Sequence, residues 1–105
     1  MILPHKVRIG PSYYSVAVEC MEDDGGSNAN SLHIKISDKL TDEKKASTFL
    51  HEIIHCIFEE YNVRLKDKKE EQVILAVEAG LCSFAKDNQE AFLEIVKFMG
   101  CYNDK

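Results

Sequence analysis

His51 and His55 stand four residues apart in the stretch TFLHEIIHCIFE, and Glu52 directly follows the first of them. On an α-helix, 3.6 residues per turn place the two imidazoles on one side, one turn apart. Both can then reach a single ion at about 2.0–2.1 Å, the distance at which imidazole nitrogen binds zinc. Glu52 projects about 100° around the helix from His51. From there it is poorly placed to be a ligand, but it can take a proton from a water held beside the ion as that water attacks a carbonyl. The motif is HExxH, and its chemistry is metal-assisted hydrolysis. His51 and His55 are the candidate metal ligands, Glu52 the candidate general base, and Zn2+, one per chain, the candidate cofactor.

A catalytic zinc site needs a third protein ligand and an open position. The extension HExxHxxGxxH is absent, because Glu59, Glu60 and Tyr61 follow instead. His5 and His33 precede the motif in a strand-like region, and His33 falls on the polar face of its strand. Carboxylates downstream fit better. If the next helix returns antiparallel after a turn near Arg64–Leu65, His51 faces the region of Glu78 and His55 that of Ile74. Glu70, Glu71 and Glu78 then all come within register, and hairpin geometry does not choose among them. Tyr13, Tyr14, Tyr61 and His33 have the chemistry to stabilise an oxyanion.

The elements that must position these groups change character near residue 40. Lys6–Ile9 alternates polar and apolar and stops at Gly10-Pro11. Residues 13–19 are rich in aromatic and β-branched side chains, and Leu32–Ser37 alternates again, with Leu32, Ile34 and Ile36 on one face. The run DDGGSNAN, residues 23–30, reads as a turn or loop. After residue 40 the period is helical. Thr41 or Asp42 caps a helix whose apolar stripe is Ala46, Leu50, Ile53, Ile54, Ile57 and Tyr61. That stripe sets His51 and His55 at its flank and turns Glu52 toward solvent or a cleft. Asp67-Lys68-Lys69-Glu70 has capping-box spacing and opens a second helix with the stripe Val73, Ile74, Val77, Leu81 and Phe84. Asp87-Asn88-Gln89-Glu90 announces a third, carrying Phe92, Leu93, Ile95, Val96 and Met99, and Gly100 ends it. The expected fold is α+β: a small twisted, mainly antiparallel sheet followed by three helices, in one domain spanning residues 1–105.

Composition bounds what else the chain can be. The formal charge of −5 provides no global basic field for nucleic-acid phosphates. No apolar run approaches the roughly 20 residues of a membrane span, and the N-terminus lacks the pattern of a secretory signal. The expected compartment is the cytoplasm. Cys20, Cys56, Cys82 and Cys101 form no CxxC pair and read as reduced, mostly buried thiols, with Cys56 packed away from the metal side.

The segments KVRIGPSYYSVAVE, LHIKIS, TFLHEIIHCIFEE and EEQVILAVEAGLCSFAKDNQE together resemble a family of short phage and prophage proteins. These share a strand region, an HExxH helix and a following helix that opens with a glutamate pair. The chain is similar in turn to the minimal zinc peptidases related to ImmA/IrrE, although their EAN-x-FA-like signature is not present in that form. The resemblance implies a minimal zincin-like fold and a metalloendopeptidase acting on a protein, for example a phage or mobile-element regulator in a bacterial host. It implies His51 and His55 as ligands, Glu52 as general base, and Glu71 as the third ligand. Little sequence remains for deep pockets, so substrate would bind by strand addition along an edge strand at His33–Ser37. The alternative is a zinc-containing interaction module that cleaves nothing.

Overall fold

The computed structural model describes residues 1–101. Four strands, β1 (Lys6–Ile9), β2 (Ser12–Glu19), β3 (Gly25–Asn28) and β4 (His33–Ser37), precede three helices, α1 (Asp42–Glu60), α2 (Asp67–Asp87) and α3 (Gln89–Val96), and a π-helical turn over Lys97–Cys101. The class is α+β, as the change of period near residue 40 implies. The strands form one sheet in the order β1-β2-β4-β3.

Two features of that sheet depart from expectation. The central pair, β2 with β4, is parallel, while β1–β2 and β3–β4 are antiparallel. The sheet is therefore mixed. The segment expected to be only a turn also contains β3. Its glycines look like turn residues, but Gly25 is required by a close approach. A Cβ there would lie 2.8 Å from Thr48 Cγ2 of α1 and 3.0 Å from the Lys35 carbonyl oxygen. Only glycine lets the strand pass this close to the helix.

One sheet face packs on α1. Ile9, Tyr14, Val16, Ile34 and Ile36 form a buried cluster with Leu3 and Cys56, against which Phe49 and Ile53 of α1 pack. Tyr14, Ile34 and Ile36 are fully buried, each contributing roughly 1.5–3 kcal/mol of apolar burial. The opposite sheet face is polar. His33 Nδ1 is hydrogen-bonded to Ser15 Oγ on that face, away from α1.

α1 is buried on two sides, which its sequence stripe does not show. Thr48, Glu52 and Cys56, one turn apart, are buried along with Ile54, and α1 also packs on α2, where Ile74 is fully buried. The expected stripe members Ala46, Ile57 and Tyr61 are exposed. Val77, Leu81 and Phe84 of α2 and Leu93, Ile95, Val96 and Met99 beyond it are exposed too. Three helices on a four-stranded sheet do not supply enough partner surface to cover every apolar stripe.

The ends of α1 are fixed by side chains. Thr41 is the N-cap, its Oγ1 accepting from the Lys44 N–H at 3.2 Å. At the other end, Glu60 accepts from Tyr14 Oη at 2.6 Å and from Ser12 Oγ at 2.9 Å, tying the helix to β2. Burial, and then the Glu60 carboxylate, hold the Tyr14 phenol above its ordinary value of 10. The unfolded chain gives up this proton near pH 10 while the folded chain keeps it. The unfolded state then binds fewer protons, so stability falls as pH rises through and beyond 10. Urea midpoints measured between pH 8 and 11 should show this fall. In Tyr14→Phe the slope should flatten, with a loss of about 1–3 kcal/mol at pH 8 from the lost hydrogen bond to Glu60.

Of the three cysteines whose side chains are described, Cys56 is buried, Cys82 half-buried and Cys20 exposed, all as free thiols. Cys20 thus departs from the expectation of mostly buried thiols. Burial pushes the Cys56 thiol up to about 11, which suits a packing role rather than a reactive one. Among the described residues no helix is long and apolar enough to cross a membrane.

Candidate metal centre

His51 and His55 project from α1 toward α2, their ring centroids 4.9 Å apart and their planes at 64°. Three glutamates of α2 meet them. His51 Nδ1 lies 2.8 Å from Glu78 Oε1, and His55 Nδ1 lies 2.8 Å from Glu70 Oε2. The two Nε2 atoms converge instead on one oxygen, Glu71 Oε1, at 3.2 Å from His51 and 2.9 Å from His55. The antiparallel return of α2 gives this register. Glu70 and Glu71 sit in its first turns, while Glu78, seven residues beyond Glu71, lies two turns farther along the same side.

The three glutamates are therefore not equivalent. Glu70 and Glu78 each stand at hydrogen-bond distance from an Nδ1, where a carboxylate accepting from Nδ1–H would fix the tautomer and aim the other nitrogen. In the tautomer with Nδ1 protonated, each Nε2 would present its lone pair on the side of Glu71 Oε1. An Nε2–H can donate to that oxygen, and a cation seated among the three atoms can equally be held by them. Ligand atoms of His51, His55 and Glu71 all lie within 4.8 Å of one another. Tetrahedral zinc with ligands at 2.0–2.1 Å separates them by roughly 3.3 Å, close to the observed Nε2–Oε1 distances. The donor set of two imidazoles and a carboxylate fits Zn2+, and the residues that could hold it are His51, His55 and Glu71.

Glu70 takes a part different from the one its spacing suggested. The N-cap of α2 is Lys66, with no side-chain capping bond, and Asp67 is already helical. The expected capping box does not form, because the Glu70 side chain is engaged with His55 across the helix pair.

The site opens into a cleft of about 540 Å³, lined by His51, Glu52, Glu71, Glu78 and Leu75, by Thr48 and Lys44 of α1, and by residues 22–25 before and within β3. Glu52 does not point to open solvent. It is only 7 % exposed, because it shares with Thr48 and Cys56 a side of α1 that is buried beside the sheet. Among the described residues nothing hydrogen-bonds or ion-pairs with its side chain. No buried side-chain oxygen is left without a partner among the described residues, so the Glu52 carboxylate meets solvent at the cleft wall. A larger hollow of about 1060 Å³ lies among α1, α2 and α3 but is lined by neither histidine and by none of Glu52, Glu70, Glu71 and Glu78, so size alone does not mark the chemistry.

The remaining candidates fall elsewhere. Tyr14 is committed to Glu60, Tyr13 lies near Lys6 and Arg8, Tyr61 packs beside Gly10 at the far end of α1, and His33 is on the opposite sheet face. None lines the cleft. The sequence reading passed over Lys44 and the acidic run Glu22-Asp23-Asp24, which do line it. The only signal was three acids in a row before a glycine pair, which also describes an ordinary turn. Comparison with family models, curated proteins and solved structures finds no match for this chain.

Proposed function

We propose that this protein is a zinc-dependent metalloendopeptidase that hydrolyses peptide bonds of a protein substrate. The observation that supports this best is the double convergence at the histidines. Both Nε2 atoms meet Glu71 Oε1, while Glu78 and Glu70 engage the two Nδ1 atoms. Zn2+ at His51, His55 and Glu71 would supply a Lewis acid and lower the pKa of a water beside it. The other steps belong to the chain. Glu52, buried at the cleft wall, takes a proton from the attacking water and returns it to the leaving amine. Glu70 and Glu78 keep the imidazoles aimed.

Substrate access runs along β3 rather than β4. β4 pairs on both sides, with β2 and β3, so it offers no free edge. The sheet edge on this side is β3, and Gly25 of β3 lines the cleft. An extended peptide can add there through main-chain hydrogen bonds. The resemblance to ImmA/IrrE-related peptidases extends the proposal to a phage or mobile-element regulator as substrate, met in the bacterial cytoplasm.

Metal analysis of protein purified without a histidine tag tests the centre, and turnover of a peptide library tests the activity. The expected result is one zinc per chain, a melting temperature that rises with zinc, and hydrolysis lost to chelator and restored by zinc. Zinc far below one per chain after supplementation rejects the reading. Full zinc with no hydrolysis leaves the non-catalytic zinc module in its place.

A further inference from the structure

We infer that the cleft selects peptide segments carrying lysine or arginine next to the bond presented to Glu52. The inference names a substrate class for the proposed peptidase and rests on that reading for its catalytic half. Six carboxylates and one ammonium group line the cleft. Glu22, Asp23 and Asp24 come from the loop before β3, and Glu71 and Glu78 from α2. Lys44 pairs with Asp24 at 3.8 Å. Among the described residues Glu22 and Asp23 have no ion pair. A divalent ion at the histidines would offset only two of these charges and leave the cleft anionic.

Glu52 is a separate sign that a polar group enters here. It is the sixth carboxylate, 7 % exposed and without a partner among the described residues, and it faces the same cleft. Its carboxylate meets the cleft rather than a protein donor, so a cationic or hydrogen-bonding group of a bound peptide can reach it there. Carboxylates of one sign gathered around a cleft raise the local concentration of cationic groups. Leu75, half-exposed in the cleft lining, offers a surface for the methylenes of a lysine or arginine while the charged head reaches the acidic lip. Acidic segments meet like charge and are rejected.

The test uses three internally quenched decapeptides, identical except that the residues flanking the central bond are lysine, glutamine or glutamate. With the full-length wild-type chain stripped of metal, so that nothing is cleaved, the lysine peptide should bind about fivefold tighter than the glutamine peptide at 50 mM salt. The glutamate peptide should bind weakest, and the ratios should shrink toward one at 500 mM salt. Glu22→Gln combined with Asp23→Asn should remove most of the lysine preference. Equal binding of the three peptides, a reversed order, or an unchanged ratio in the double variant would overturn the inference. Turnover by the zinc-loaded chain is read separately. Fastest cleavage of the lysine peptide supports both proposals. Charge-selective binding with no cleavage of any peptide sinks the peptidase reading and leaves the cleft's preference standing.

Discussion

Glu52→Gln should keep one zinc per chain and lose peptide hydrolysis by about a thousandfold, within the range a general base contributes. The substitution changes little in shape. Glutamine fills the same volume at the same point of α1, and the converging atoms that could hold a metal belong to His51, His55 and Glu71, not to residue 52. What it removes is the capacity to accept a proton beside the attacked carbonyl. Stability should hold or rise, because the substitution breaks no hydrogen bond or ion pair of the described residues and removes one of six carboxylates that line the cleft. The combination is diagnostic: unchanged zinc, an equal or higher melting temperature, and lost turnover. Activity at a tenth of wild type or more would show that Glu52 is not the base. Loss of zinc together with activity would show that residue 52 helps build the metal centre.

The sequence shows the site more clearly than the sheet around it, for a physical reason. The i, i+4 spacing of His51 and His55 fixes their common side once α1 is known to be helical, and that helix is marked by its cap at Thr41 and its apolar period. The return of α2 after a short turn follows from composition, so the approach of Glu78 to His51 is legible in advance. The choice of Glu71 is not. It came from a family resemblance, because spacing along α2 cannot say which imidazole nitrogen each carboxylate meets. The burial of Glu52 was also hidden. A single stripe of Leu50, Ile54 and Ile57 implies one buried side, whereas α1 lies between the sheet and α2 and buries Thr48, Glu52 and Cys56 as well. β3 was missed because glycine serves turns and close approaches alike, and only the position of Thr48 opposite Gly25 tells them apart. The parallel pairing of β2 with β4 is a long-range property that no local pattern encodes.

The division of labour proposed for the three glutamates predicts a graded series. Zinc-binding peptides gain about 10–16 kcal/mol from their metal, so removing one anionic ligand should cost about 4 kcal/mol, or a thousandfold in affinity. Glu71→Ala should show that loss, and Glu71→Gln should recover little of it, because a neutral amide oxygen is a weaker ligand than a carboxylate. In that proposal Glu78 and Glu70 act through the imidazoles, and partners of that kind typically contribute 10–100-fold. Glu78→Ala removes the acceptor from His51 Nδ1 and should cost about a hundredfold. Glu78→Gln keeps a carbonyl that can still accept the Nδ1–H and should cost only about tenfold. The same pair at Glu70 should behave likewise through His55, with a smaller effect, since Glu70 is more exposed than Glu78, 27 % against 17 %. Competition against a chromophoric chelator reads all six affinities. Rescue by glutamine at 70 and 78, but not at 71, is the pattern that separates aiming an imidazole from holding the ion. A larger loss for Glu78→Gln than for Glu71→Gln would reverse the assignment and make Glu78 the third ligand.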